Sequence, residues 1–200
     1  MTTAVHLLRR VCVFCGSNHG ASPAYASAAE RVGRELVRRN IGLVYGGGNV
    51  GLMGVLADST LQAGGHVIGV IPEAFMAKEV GHRGLPDLRV VRTMHERKAL
   101  MVDLADGFIA LPGGMGTFEE FFEVLTWAQL GLHSKPCALL NVAGFFDPLL
   151  RLLDHSVTER FIREKHRALV VVDPDIGALL NRMAQHRPPR EHKWIDKENL

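Results

Sequence analysis

Short apolar runs alternate along the chain with longer segments whose apolar residues recur at helical spacing. The runs are continuously apolar, as expected for strands covered on both faces. Strands that alternate with helices predict a parallel sheet with right-handed crossovers, so we expect an open, doubly wound α/β domain. The predicted strands and their turns cover 11–16, 41–48, 66–72, 88–91, 107–114, 136–142 and 168–172. The predicted helices cover 23–40, 51–64, 94–106, 117–131, 146–160 and 174–185.

The chain divides into one large unit and two short ends. Residues 11–185 carry the alternating pattern and are expected to form a single domain, with an irregular segment at 73–87. Residues 1–10 are expected to be an N-terminal extension. The stretch from 186 to 200 is polar and contains paired prolines, which is typical of a tail.

Composition excludes several classes of partner. The net charge of +2 is too small to indicate a nucleic acid polymer or an anionic membrane as partner. We find neither an apolar run long enough to span a bilayer nor the pattern of a signal peptide. Three cysteines, an odd number, do not suggest a secreted disulfide framework. A cytoplasmic protein is therefore expected.

The cysteines and histidines do not form a recognisable metal or redox site. Cys12 and Cys15 have C-x-x-C spacing, but they lie in an apolar run rather than at a helix N-terminus, which favours buried thiols. The ten histidines are scattered, with neither H-x-x-x-H nor H-E-x-x-H spacing. We expect no metal and no organic cofactor.

Three glycine-rich segments each follow a predicted strand, at 15–18, 45–54 and 112–117. Ligands of doubly wound sheets bind beyond the carboxyl ends of the strands. Glycine permits close approach of the backbone, and a helix start favours phosphate. Each loop alone is equally explained by a tight turn. The chain lacks both the G-x-x-x-x-G-K-[ST] and the G-x-G-x-x-G patterns, which argues against a nucleotide triphosphatase or an NAD enzyme.

The stretch "PGGMGTFEE" (112–120) allows two interpretations of its acids. Thr117 and Glu120 have the T-x-x-E spacing of a capping box, which is purely structural. Glu119, Glu120 and Glu123 also fall away from the apolar helix face, so they are either solvated or line the crevice. That face has i, i+3, i+4, i+7 spacing and consists of Phe118, Phe121, Phe122 and Leu125.

The helix predicted from Met94 carries two adjacent cations. Arg97 and Lys98 lie on or beside an apolar stripe that includes Met101 and Ala105. Burial of unpaired charges is costly, so buried heads would need anions or a ligand. The alternative is that the long stems lie on apolar surface with their heads in water. Spacing alone does not decide between the two.

Three motifs together resemble the LOG ("lonely guy") family of cytokinin riboside 5′-monophosphate phosphoribohydrolases. They are "PGGMGTFEE" (112–120), "MHERK" (94–98) and "YGGGNVGLMG" (45–54), and the resemblance extends from about Val11 to about Met183. It implies a Rossmann-like fold and a homodimer with sites near the subunit interface. It also implies hydrolysis of the N-glycosidic bond of a nucleoside 5′-monophosphate, which yields free base and ribose 5-phosphate.

The resemblance also implies roles for individual residues. Arg97 and Glu120 would be the catalytic pair. The preferred base stays open, because the family includes enzymes with unequal base preferences. The implied substrate contacts are Glu79, Lys98, Gly114, Met115, Gly116, Thr117 and Thr126.

Two other functions compete with the hydrolase. Related folds with similar glycine loops carry nucleotides or cofactors without turnover, although the joint presence of Arg97 and Glu120 disfavours such a carrier. Members of the family were often labelled lysine decarboxylases, whose chemistry uses pyridoxal phosphate on a lysine. The chain looks short for the usual decarboxylase folds, and no lysine has an evident set of partners.

Overall fold

The computed structural model describes residues 7–76 and 81–187, which form one α/β domain. Its strands are β1 (Arg10–Phe14), β2 (Gly42–Tyr45), β3 (Val67–Pro72), β4 (Asp87–Val91), β5 (Gly107–Ala110), β6 (Cys137–Leu140) and β7 (Val170–Asp173). Its helices are α1 (Pro23–Arg38), α2 (Gly51–Gln62), α3 (Glu73–Met76), α4 (Met94–Leu104), α5 (Met115–Gln129), α6 (Asp147–Thr158), α7 (Glu164–Arg167) and α8 (Ile176–Gln185). A 3₁₀ turn, Val142–Gly144, precedes α6.

All the strands are parallel, in the order β4-β3-β2-β1-β5-β6-β7. The chain moves outward from β1 to β4 and then returns to place β5 on the other side of β1. The crevice between β1 and β5 is therefore the topological switch point, where doubly wound sheets bind ligands. The loops that leave these strands are joined by a hydrogen bond of 3.1 Å from the Gly16 N–H to the Pro112 carbonyl.

The sheet is covered on both faces, as the continuously apolar strands predict. In β1, Val11 and Val13 belong to one buried cluster, whereas Cys12 and Phe14 belong to the other. Helices α1, α2 and α8 pack on the first face, and α4, α5 and α6 pack on the second. This arrangement confirms the predicted doubly wound α/β class.

The structure differs from the predicted elements mainly in two short helices and in one helix boundary. One-turn helices occur as α3, within the segment expected to be irregular, and as α7, which was not predicted. Helix α5 begins at Met115, two residues earlier than expected. The division into an extension, a domain and a tail stays a prediction, and most of both ends lies outside the described residues. Among the residues described, every helix is too short or too polar to cross a bilayer.

Candidate active site

A cleft of about 620 Å³ opens at the switch point of the sheet. The glycine-rich loops after β1, β2 and β5 all contribute to it, as do the end of β3 and the starts of α4 and α5. The prediction that these loops share one edge is therefore confirmed. The described lining residues are Cys15, Ser17, Gly46, Gly48, Val50, Met53, Ile71, Pro72, Phe75, Met94, Arg97, Gly114, Met115, Gly116, Thr117, Glu119 and Glu120.

The N-terminus of α5 faces this cleft without a side-chain cap. Its N-cap residue is Gly114, and no side chain there accepts a hydrogen bond from the first turn. The N–H groups of the first turn have no partner within a helix, and the helix dipole makes this end partly positive. Gly114 and Gly116 would leave a Cβ in open space, so their lack of side chains keeps the approach clear. The arrangement suits a phosphate group.

Thr117 lies in the first turn of α5 rather than at its cap. The residue is buried, and a Cβ at Gly113 would lie only 2.1 Å from its hydroxyl oxygen, so glycine is required there for close packing. Among the described residues the Thr117 hydroxyl has no hydrogen-bond partner, and the residue lines the cleft. The capping-box interpretation of Thr117 and Glu120 is therefore wrong.

Glu120 instead forms an ion pair with Arg97 of α4. Arg97 Nη1 lies 2.6 Å from Glu120 Oε1, and each side chain is only 11% exposed. Arg97 Nε donates a hydrogen bond of 3.1 Å to the Val70 carbonyl of β3, which fixes the plane of the guanidinium. The cation beside the apolar stripe is thus buried with an anion, as one of the two predicted alternatives requires.

Gly46 leaves the space that the Arg97 guanidinium occupies. A Cβ at position 46 would lie 2.1 Å from Arg97 Nη2 and 3.6 Å from Met53 Sδ. Because real Cβ contacts are never so short, the glycine after β2 is needed for the ion pair to have its present geometry. The glycine-rich loop therefore positions a side chain in addition to lining the cleft.

Burial raises the pKa of Glu120, although the charge and hydrogen bond of Arg97 oppose this effect. Among the described residues, Glu120 Oε2 and Arg97 Nη2 have no hydrogen-bond partner, and both residues line the cleft. One carboxylate oxygen and one guanidinium nitrogen are therefore available to a ligand. A carboxylate with a raised pKa suits proton transfer in a closed site.

The other predicted contacts are placed unequally. Lys98 is not among the lining residues; its ammonium lies 2.5 Å from Glu119 and 3.0 Å from Glu123. Thr126 is exposed and outside the cleft, nine residues beyond Thr117 and about 13 Å along the helix axis. Glu79 lies outside the described residues.

Sequence reasoning did not identify the apolar side chains of the cleft as a group. Phe75, Met94 and Met115 are exposed by 42%, 38% and 85%, and all three line the cleft. They come from three separate elements, α3, α4 and α5, and no periodic pattern links them. Their common exposure at one opening provides a surface for a flat apolar ring.

The cysteines are buried and unpaired. Burial raises the pKa of Cys12, Cys15 and Cys137, so these thiols are protonated near neutral pH. This agrees with the prediction of buried thiols. Within residues 7–76 and 81–187, no three His, Cys, Asp or Glu side chains are grouped so as to hold a metal ion.

Comparison with known proteins identifies the family. A family model described as "Possible lysine decarboxylase" matches residues 53–183. The cytokinin riboside 5′-monophosphate phosphoribohydrolase LOG of Oryza sativa subsp. japonica is 50% identical over 183 residues, which cover 92% of this chain and 76% of that protein. The cytokinin riboside 5′-monophosphate phosphoribohydrolase of Rhodococcoides fascians is 54% identical over 173 residues, 86% of this chain and 87% of that protein.

The same fold also occurs in a protein that is described as a cofactor carrier rather than as a hydrolase. The molybdenum cofactor carrier protein of Chlamydomonas reinhardtii matches with a TM-score of 0.63 at 20% identity, over 86% of this chain and 93% of that one. At this identity the likeness establishes a shared fold alone. The matches to the family model and to the two phosphoribohydrolases show that the chain belongs to the LOG family.

Proposed function

We propose that the chain hydrolyses the N-glycosidic bond of nucleoside 5′-monophosphates to free base and ribose 5-phosphate. The observation that carries the proposal is the buried Arg97–Glu120 pair, which lies in the same cleft as the uncapped N-terminus of α5. A carboxylate for the ribose and a cradle for a phosphate are thus available within one site. The two phosphoribohydrolase relatives at 50% and 54% identity support the same activity.

Each part of the substrate has a matching part of the cleft. The 5′-phosphate would accept hydrogen bonds from the first-turn N–H groups of α5 and from the Thr117 hydroxyl. The base would lie against the apolar side chains of Phe75, Met94 and Met115. The ribose would then lie between them, near Glu120. Binding at the two ends positions the glycosidic bond for attack.

The chemistry requires only water and the groups of the site. Water adds to C1′ of the ribose, the bond from C1′ to the base nitrogen breaks, and the base leaves with the bonding electron pair. The Glu120 carboxylate stabilises the oxocarbenium-like transition state and accepts the proton that water loses. That proton then passes to the departing base. Arg97 orients the carboxylate, and its Nη2, which has no partner among the described residues, can contact the substrate.

The description of the family model as a possible lysine decarboxylase fits this site less well. A Schiff-base lysine must reach its substrate as a free amine. The described lining residues include no lysine, and Lys98 is bound to two carboxylates. We therefore favour the hydrolase.

A panel of nucleoside 5′-monophosphates tests the proposal. The protein is incubated with AMP, GMP, CMP, UMP and an N6-prenylated AMP, and free bases are separated by chromatography. We expect base release from at least one purine nucleotide, and the relative rates give the preferred base. Nucleotides that bind without release of base would contradict the proposal and favour a carrier.

We also propose that the chain acts as a homodimer in the cytoplasm. Thr126 is exposed on α5, and the nearby Leu130 and Leu132 are exposed apolar side chains. A partner subunit over this surface would cover them and could bring Thr126 close to a second cleft. Light scattering coupled to gel filtration tests the dimer, and a monomer at the protein concentration of the activity assay would contradict it. Cell fractionation tests the cytoplasmic location.

A further inference from the structure

A second set of ion pairs lies beside the Arg97–Glu120 pair. The Lys98 ammonium lies 2.5 Å from Glu119 Oε1 and 3.0 Å from Glu123 Oε1. Consecutive cations of α4 therefore bind acids that lie within one turn of α5. The Lys98 side chain is 11% exposed, the same fraction as the side chains of the catalytic pair. The Lys98 ammonium is thus held between two carboxylates of the neighbouring helix.

The three acids of α5 repel one another in the absence of Lys98. Glu119 and Glu123 are spaced i, i+4, where like charges are neighbours and destabilise a helix. Glu120 follows Glu119 directly. Without Lys98, these three carboxylates would face Arg97 as their one nearby cation among the described residues. The present pairing, in which Arg97 binds Glu120, would then compete with other arrangements.

We propose that Lys98 is a positioning residue, which neutralises Glu119 and Glu123 and so leaves Arg97 to pair with Glu120. The proposal rests on the proposed function, because it takes Glu120 as the catalytic carboxylate. It assigns Lys98 a different role from the substrate contact that family resemblance implies. Two of the three ammonium donors already bind carboxylates, and Lys98 does not line the cleft.

The charges around Glu120 determine what loss of Lys98 does to it. Burial raises the pKa of the Cys12 and Cys15 thiols, so they are protonated and contribute little charge near neutral pH. Lys98 favours the ionised form of Glu120, and Glu119 opposes it. Removal of Lys98 therefore raises the pKa of Glu120. Among the described residues, the charged or titratable groups around Glu120 are Arg97 and Lys98 from α4, Glu119 and Glu123 from α5, Cys12 from β1 and Cys15 from the loop after β1.

Carbon NMR of glutamate side chains measures this effect without any assay of turnover. The protein is labelled with ¹³C-glutamate, and the Glu120 carboxyl signal is assigned by its loss in Glu120→Gln. We expect Lys98→Met to raise the pKa of Glu120, because the charge of Lys98 favours the ionised form. The triple variant Lys98→Met/Glu119→Gln/Glu123→Gln removes one cation and two acids, so Glu120 keeps Arg97 and loses the repulsion of Glu119. Its pKa should return to the wild-type value or fall below it.

The pH dependence of base release gives a second measurement. We expect the acid limb of kcat/KM in Lys98→Met to move upward with the Glu120 pKa, while KM at high pH stays near the wild-type value. The matched control is Lys135→Met. Lys135 Nζ donates a hydrogen bond of 2.7 Å to the Val102 carbonyl at the other end of α4. Lys135→Met therefore also removes one positive charge, but it leaves the acids of α5 paired with Lys98. The control should leave the acid limb in place.

Each alternative gives a different result. A higher KM at every pH, with an unchanged Glu120 pKa and no rescue in the triple variant, would overturn the proposal and make Lys98 a substrate contact. If the wild type released no base at all, the proposed function would fail, whereas the NMR titration would still decide the role of Lys98. In the triple variant neither Glu119 nor Glu123 is left as an unpaired acid, so this variant can still be titrated if Lys98→Met alone does not fold. A Glu120 pKa in the triple variant that stays as high as in Lys98→Met would contradict the proposal.

Discussion

The variant Gly46→Ala tests how strictly the cleft positions Arg97. The added Cβ would lie 2.1 Å from Arg97 Nη2, and the backbone at Gly46 does not have the positive φ that disfavours alanine. The nitrogen must move from 2.1 Å to ordinary contact at about 3.4 Å, a movement of about 1.3 Å. The bonds of Arg97 to the Val70 carbonyl and to Glu120 oppose that movement.

A misplacement of about 1 Å in a catalytic group costs about 100-fold in rate. We therefore expect kcat/KM of Gly46→Ala to fall by about 100-fold, or about 2.7 kcal/mol of transition-state stabilisation. Overpacking should also lower the free energy of unfolding by about 1–3 kcal/mol. Release of base from the preferred nucleotide measures the first effect, and urea denaturation measures the second.

Two comparisons make this result specific. Gly42→Ala lies at the start of β2, the strand that ends just before Gly46, and its nearest new contact is the flexible Arg10 side chain at 3.1 Å, so activity should be unchanged. Arg97→Lys lacks the Nη2 nitrogen with which the new Cβ would collide. Adding Gly46→Ala to Arg97→Lys should therefore have little further effect on activity. Activity of Gly46→Ala within about twofold of the wild type, or losses that simply add in the double variant, would refute the reasoning.

Two further predictions concern the phosphate cradle and pH stability. Thr117→Val should raise KM about tenfold, because a hydrogen bond to a charged group contributes about 1.5–3 kcal/mol. Thermal stability should not fall, because Thr117 is not the helix cap. Steady-state kinetics and thermal melting measure these effects, and an unchanged KM would count against the phosphate contact. His133 accepts the Lys135 N–H at Nδ1 and binds the Val124 carbonyl through Nε2, and burial lowers its pKa. A depressed histidine pKa adds stability that is present above the unfolded pKa of about 6.5 and is lost as pH falls below it. Urea titrations at about pH 7.5 and about pH 5 should therefore show a smaller drop in His133→Gln than in the wild type, and equal drops would contradict the assignment.

The sequence predicts the sheet well because the strands carry a strong local signal. Their continuously apolar runs distinguish strands covered on both faces from solvated ones. The one-turn helices α3 and α7 give no such signal, since four residues are too few for helical periodicity. The early start of α5 depends on Gly114 as N-cap, and glycine is equally common in turns.

The candidate site is only partly predictable, because its decisive contacts join distant residues. The spacing of Thr117 and Glu120 fits a local cap, and nothing within that spacing reveals a partner 23 residues away. The space for the Arg97 guanidinium depends on Gly46 of a third element. The partners of Lys98 depend on the packing of α4 beside α5. Long-range packing decides such pairs, and no local pattern records it.

The most direct test of the central claim is a product balance for the wild type and Glu120→Gln with the preferred nucleotide. Free base is measured by chromatography, ribose 5-phosphate by a coupled enzyme assay, and nucleotide binding by calorimetry. The account predicts equal amounts of the two products from the wild type, and a loss of at least about 100-fold in Glu120→Gln with binding retained. Base release by Glu120→Gln at the wild-type rate, or nucleotide binding by the wild type without either product, would contradict it.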